Sequence, residues 1–495
     1  MAAVARILEW PADDEADDLP LALWDAITIA RAVKGVANAD FQVSGVEIDS
    51  RDVLPGDLFF ALKGENMDGH RFLEAAFAKG AVAAVVDRPV DYPHILVSDT
   101  TAALEALGKA ARARIDERSG ARIVGVTGSV GKTGVKEAIF AALDRASRGP
   151  GGFGAHRSVK SYNNHVGVPL SLARMPSRSR FGIFEMGMNH SGEIAALTRQ
   201  VRPHVAVVTT IAPAHIEMLG SEEAIADAKG EIFEGVEPGG VAIIPADSPH
   251  YARLRAKAEQ YFLTVIGFGR SAHADVRLLD TIASANGGSL VTADMGDRRL
   301  CYTIAEPGEH WVMNSLAVMA AVRAAGGDLG AAGVALADMA GLAGRGARVE
   351  IEAQDGGHAL LIDESYNANP ASMRATLAQL GKTAARRRIA VLGAMKELGR
   401  HGPAFHAALA EPLADAKVDF AVLVGDEMSA LADELGKSGT AALGKPVRFA
   451  HCQNPAEARQ ALADFGVESG DAILVKGSNS VGLGALVKAL AAKEA

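Results

Sequence analysis

Thr127-Gly-Ser-Val-Gly-Lys-Thr133 is the segment of this chain whose residue types and spacing point most directly to chemistry. Gly128 and Gly131 let backbone amides approach an anion with no Cβ in the way. Lys132 supplies a cation for β- and γ-phosphates, and the Thr133 hydroxyl can ligate Mg²⁺. The intervening Ser129 and Val130 complete the loop. It lies between an apolar run at 121–126 and a helical pattern at 136–144, so the free N–H groups of the helix start face the same anion. Val126 stands where the strict phosphate-loop pattern has its first glycine, which makes this loop one residue tighter. Triphosphate chemistry also needs a hard-cation site, usually a carboxylate at the end of a neighbouring strand. Glu185 ends the apolar run 181–184 and fits; His215 follows another run at 205–209. On position alone, Glu185 also reads as an ordinary strand-end carboxylate and His215 as a surface histidine.

The elements that must position these residues follow from the rest of the chain. Its 495 residues suggest about three domains at roughly 100–200 residues each. Nearly half the residues are apolar, aromatics are few, and Ala and Gly abound, which suits packed helices and tight turns. A net charge of −10 argues against nucleic acid as the main partner. Two distant cysteines, Cys301 and Cys452, exclude a disulfide framework and fit a reducing compartment. The first residues turn acidic without a secretory apolar core, and no charge-free apolar run reaches about 18 residues. The expectation is a cytoplasmic protein without a membrane span.

The fold class expected is α/β in three domains. A small mixed α/β domain spans 1–111, with strands at 57–62 and 81–86 around a helix at 71–79. A central phosphate-loop domain spans 112–325. Its continuous apolar runs at 181–186, 205–209 and 240–244 alternate with helices, the pattern of a parallel sheet covered on both faces. Residues 262–304, with turn residues at Asn286-Gly-Gly288 and Met295-Gly-Asp297, read as antiparallel. A Rossmann-like domain spans 326–495, with strands at 359–363, 388–392, 420–424 and 472–476.

The phosphate loop together with Glu185, His215 and Ala228-Lys-Gly-Glu231 resembles the central domain of the Mur ligases. These are amide ligases of bacterial peptidoglycan synthesis, related to folylpolyglutamate synthase. The resemblance extends over essentially the whole chain. Asp49-Ser-Arg51, Pro55-Gly-Asp-Leu-Phe-Phe60 and Asp68-Gly-His70 are similar to the family's UDP-binding module. Asn163-Asn164, Glu185-Met-Gly-Met188, Val391-Leu-Gly-Ala-Met-Lys-Glu-Leu-Gly399 and Val475-Lys-Gly-Ser478 continue the match. Tyr366-Asn-Ala-Asn-Pro370 resembles the class that adds D-alanyl-D-alanine to a UDP-linked muramoyl tripeptide. The Asp-Asn-Pro-Arg motif of the diaminopimelate-adding class is absent.

The resemblance implies a two-step reaction. A substrate carboxylate takes the γ-phosphoryl group of ATP to give an acyl-phosphate and ADP, and the amine of D-alanyl-D-alanine then displaces phosphate. It implies that Lys132, His215 and Lys229 are catalytic and that Thr133, Glu185, His215 and Lys229 serve two Mg²⁺ ions, Lys229 in carbamylated form. Residues 127–133 with His310, Asn314, Arg345 and Asp363 would hold ATP. Ser50, Arg51, Asn164, Tyr366, Asn367, Asn369, Lys476 and Ser478 would hold UDP-N-acetylmuramoyl-tripeptide and the dipeptide. It also implies a monomer that closes its third domain over the site. Gly134, Ala394 and Asn479 depart from the family pattern of a small polar residue, an aspartate and an arginine. Three other readings stay open: a sister ligase with another amine substrate, a nucleotide-binding scaffold, and a phosphate-loop kinase.

Overall fold

Strands buried on both faces must be apolar throughout, and the runs of this chain form the interiors of three larger sheets in the computed structural model. Residues 22–64, 67–118, 120–147, 154–159, 161–214, 216–284, 288–339, 341–437 and 446–492 are described. They fall into two units, Met1–Leu107 and Gly108–Ala495.

The first unit carries a five-stranded sheet in the order Val36–Ala37, His94–Leu96, Ala83–Val86, Asp57–Phe60, Gly45–Glu47. Its last four strands are parallel and the first is antiparallel to its neighbour. The helix expected at 71–79 is split. A 3₁₀ turn, Gly69–Phe72, precedes a shorter helix, Leu73–Ala78. The cause is Asp68, which caps that turn by accepting from the His70 amide at 3.0 Å. The buried His70 ring is held between Asp68, 2.7 Å away, and Asp87, 3.1 Å away. In this unit Asp68-Gly-His70 is therefore structural.

The second unit contains two sheets. The nine-stranded sheet runs Arg299–Ile304, Ser289–Asp294, Val276–Ala283, Thr264–Gly269, Val241–Pro245, Val205–Val208, Arg122–Thr127, Phe181–Glu185, Ala155–Arg157. The antiparallel stretch starts later than expected. Thr264–Gly269 is a parallel member, and Val276–Ala283 joins it in parallel before turning back in two antiparallel pairings. Apolar cores lie on both faces. The helix Leu329–Asp338 contributes Ala332, Ala335 and Leu336 to one of them.

The six-stranded sheet runs Ala347–Glu352, His358–Glu364, Ala472–Lys476, Arg388–Gly393, Phe420–Val424, Arg448–Cys452. All neighbours are parallel except the first pair. This sheet too has a core on each face. Among the described residues no helix is long and apolar enough to cross a membrane.

Candidate active site

The phosphate loop leaves the strand Arg122–Thr127 and enters the helix Lys132–Ser147. Its shape depends on two glycines with positive φ, Gly128 at 143° and Gly131 at 85°. A Cβ on Gly128 would lie 2.0 Å from Thr209 Oγ1, and one on Gly131 would lie 3.0 Å from Asn314 Nδ2. The loop is buttressed by the segment after Val205–Val208. The Ser129 amide donates to Thr210 O at 2.7 Å, and the Ser129 hydroxyl donates to Ala212 O at 2.9 Å. Lys132 Nζ folds back to donate to Gly128 O at 2.7 Å. Burial lowers the Lys132 pKa; Glu185 opposes that shift and Arg345 adds to it.

Glu185 is almost wholly buried at the end of its strand. It accepts from the Thr133 hydroxyl at 2.7 Å and from Asn163 Nδ2 at 2.8 Å. Lys229 ends the helix Glu222–Gly230, which Ser221 caps. Its amine is buried with no hydrogen-bond partner. Burial drives its pKa well below the usual lysine range, Lys132 pushes it further, and Glu185 and Glu231 only partly compensate. Glu231 is engaged elsewhere, accepting from the Ser191 hydroxyl and from the Gly192 and Ala195 amides.

A cleft of about 270 Å³ joins these groups to the six-stranded sheet. His310 and Asn314 line it from one turn of the helix Glu309–Ala324. Arg345, Tyr366 and Lys476 line it from the other side. Arg345 lies over the Tyr366 ring, 4.3 Å from its centre, and donates to Ser161 Oγ at 3.0 Å. Lys476 is buried and donates to Asn367 O at 2.9 Å and Glu364 Oε2 at 3.3 Å. Three cations around one cleft, with glycine-freed amides at one end, make an anion site.

Three family profiles match the chain in order. "Mur ligase family, catalytic domain" covers 42–127, "Mur ligase middle domain" 126–322, and "Mur ligase, glutamate ligase domain" 347–479. The chain belongs to the Mur ligase family. The UDP-N-acetylmuramoyl-tripeptide--D-alanyl-D-alanine ligase of Bacillus subtilis is 34% identical, covering 93% of this chain and 97% of the relative. The Escherichia coli protein of the same name is 32% identical over 91% and 94%. A crystal structure of MurF from Acinetobacter baumannii shares 29% identity and a TM-score of 0.79, covering 95% of this chain and 99% of that one. The MurF ligase of Thermotoga maritima, solved in complex with ADP, shares 26% identity and a TM-score of 0.71 over 90% and 97%.

In this Mur ligase most of the residues singled out from sequence converge. Ser129, Val130, Gly131, Lys132, Glu185, Lys229, His310, Asn314, Arg345, Tyr366, Asn367, Asn369 and Lys476 all face the cleft. Others stand apart. Thr127 is fully buried behind the loop. Asp363 spends its carboxylate on the Gly344 and Ser365 amides and the Ser365 hydroxyl, so it holds a turn rather than facing the cleft. Asn164 caps the helix Gly167–Ala173 by accepting from the Gly167 amide at 2.9 Å. Its neighbour Asn163, which sequence reasoning did not single out as a site residue, is the one that reaches Glu185. Ser478 accepts from the Lys396 amide at 3.0 Å and lines an adjacent cavity of about 320 Å³. Asn369 also caps the helix Pro370–Lys382 in a reciprocal box with Ser372. In the first unit Arg51 extends into solvent on Asp49, and Ser50 is half-buried. His215 lies outside the described residues.

Ser161 and Glu364 were missed as well. Ser161 carries no signal beyond its proximity to Asn163-Asn164. Glu364 could have been found as the next residue after Asp363 on a strand whose end faces the cleft.

Proposed function

We propose that this chain is an ATP-dependent amide ligase that joins D-alanyl-D-alanine to UDP-N-acetylmuramoyl-tripeptide, giving the pentapeptide, ADP and phosphate. One observation carries the reading. The phosphate loop with Lys132, the Thr133–Glu185 pair, and the Tyr366-Asn-Ala-Asn-Pro370 segment face a single cleft. A kinase would need only the first two; a scaffold would need none of the buried cations.

The chemistry follows from charge. A carboxylate and a triphosphate repel, so the first task is neutralisation. Lys132 and Arg345 meet the phosphates. A tripeptide carboxylate oxygen then bonds to the γ-phosphorus as the bond to the β-phosphate oxygen breaks, and ADP leaves with that electron pair. The dipeptide nitrogen attacks the acyl carbon next, phosphate departs, and the nitrogen releases a proton. Asn367 and Lys476 stand where the incoming amine must approach the acyl group.

The donors suit Mg²⁺. Thr133 Oγ1 and Glu185 supply one hydroxyl and one carboxylate, and Mg²⁺ draws its other ligands from phosphates and water. When bound, it screens phosphate charge and polarises the transferred phosphoryl group. A second ion would fall to His215 and a carbamylated Lys229. The unpartnered buried amine supports this, because a depressed lysine is the nucleophilic form that adds CO₂, and the carbamate turns a cation into an oxygen ligand.

The first unit, with Ser50 and Arg51, is proposed to take the UDP end. The proposed boundaries are 111/112 and 325/326. Placement of Ala332 and Leu336 in the central core favours a later second boundary. The reading includes a monomer in the cytoplasm.

The test supplies purified protein with ATP, Mg²⁺, tripeptide and dipeptide and identifies the product by mass. A UDP-linked pentapeptide is expected. A phosphorylated peptide that accumulates with the dipeptide present would mean a kinase.

A further inference from the structure

Arg345 is the group in the cleft with the greatest need of a mount. It projects from a short turn between the helix Leu329–Asp338 and the strand Ala347–Glu352. Its guanidinium shares the cleft with Lys132 and Lys476. Like charges at close range drive a long, flexible side chain toward solvent, and ordering it costs about 2 kcal/mol of rotamer entropy.

Three contacts oppose that. The guanidinium carbon stands 4.3 Å from the centre of the Tyr366 ring. Arg345 Nη2 donates to Ser161 Oγ at 3.0 Å. The turn itself is tied to the end of the strand His358–Glu364. The Gly344 amide donates to Asp363 Oδ2 at 2.7 Å, the Gly346 amide to Asp363 O at 2.8 Å, and the Tyr366 amide to Gly344 O at 3.1 Å. Gly344 has φ of 74°, and a Cβ there would lie 2.8 Å from Tyr366 Cβ, so the turn and the tyrosine are in direct contact.

We propose that Tyr366 is a positioning residue for Arg345, with its ring rather than its hydroxyl holding the guanidinium over the cleft, and that Asp363 fixes the turn beneath it. This assigns Tyr366 a role other than binding the peptide substrates, and it rests on the ligase reading above. It explains why Asp363 has no free oxygen for a nucleotide: Oδ1 is taken by Ser365 and Oδ2 by Gly344. It also explains why the aromatic residue is only half-covered, since one face of the ring is the seat of the arginine.

The test is steady-state kinetics on Tyr366→Leu, Tyr366→Phe, Arg345→Ala and the double variant Tyr366→Leu/Arg345→Ala. A cation–π contact of this kind corresponds to about 3- to 30-fold. Tyr366→Leu should lower kcat by about tenfold with the KM for both peptide substrates within about twofold, and Tyr366→Phe should recover most of that loss. In the Arg345→Ala background the leucine substitution should add less than about twofold, because the group it positions is gone. Equal losses in the Phe and Leu variants, a raised KM for either peptide substrate, or additive losses in the double variant would each overturn the proposal while leaving the ligase reading intact. A wild-type protein that makes no amide would instead overturn the ligase reading.

Discussion

The Thr133 hydroxyl donates a 2.7 Å hydrogen bond to Glu185 Oε2, joining two residues that are 52 positions apart in the chain. One opens a helix and the other closes a strand, and the parallel pairing of Phe181–Glu185 with Arg122–Thr127 brings them together. Asn163 fixes the second oxygen of the same carboxylate at 2.8 Å. Two oxygen donors preset in this way should set Mg²⁺ affinity. Glu185→Gln is expected to raise the Mg²⁺ concentration for half-maximal turnover by about tenfold or more. Asn163→Ala should raise it by about 10- to 100-fold through loss of orientation. Magnesium titrations of phosphate release check both; unchanged midpoints would place the metal elsewhere.

Gly134 departs from the family pattern for a packing reason. A Cβ at this position would lie 2.8 Å from Trp311 Cη2, and Trp311 is buried against the start of the phosphate-loop helix. Gly134→Ser should cost about 1–3 kcal/mol in chemical denaturation through overpacking. Pairing it with Trp311→Leu should recover part of that loss. An undisturbed Gly134→Ser protein would mean that the indole moves aside freely.

Lys229 offers a chemical readout separate from turnover. Its amine is buried, unpartnered and strongly depressed in pKa. Intact mass under mild, bicarbonate-containing conditions should show one added CO₂, absent in Lys229→Ala. Activity should fall when bicarbonate is stripped and return when it is restored. An unmodified lysine in fully active enzyme contradicts the carbamate.

Glu306 should make stability depend on pH. Its carboxyl is raised from an ordinary 4.5 to about 7, mainly by burial and then by repulsion from Glu364, with Arg348 opposing and His310 nearby. The folded chain therefore holds a proton that the unfolded chain releases. The stability it carries is complete below pH 4.5 and is lost as pH rises toward 7. Glu306→Gln should leave stability unchanged near pH 4 and raise it by about 1–3 kcal/mol at pH 8, read by thermal or urea unfolding. An equal effect at both pH values would show that the carboxyl is ionised throughout.

Much of this was legible in the chain because strands buried on both faces announce themselves. The runs at 388–392, 420–424 and 472–476 reappear as strands with nearly the same ends. The phosphate loop was legible because glycine and lysine at that spacing have few other uses. The division of labour within motifs was not. Asn163 and Asn164 look alike in sequence, yet one orients Glu185 and the other caps a helix, a difference set by which side of the turn each faces. Tyr366 and Asn369 stand together in one motif, but the ring seats an arginine while the amide starts a helix. Arg345 lies far from the loop in sequence, and only the fold shows that it shares a cleft with Lys132.

The central claim is that the tripeptide carboxylate, not water, takes the γ-phosphoryl group of ATP. A tripeptide labelled with heavy oxygen in that carboxylate tests it most directly. The account predicts that one labelled oxygen appears in the released phosphate for each amide formed. Unlabelled phosphate alongside amide product would contradict it.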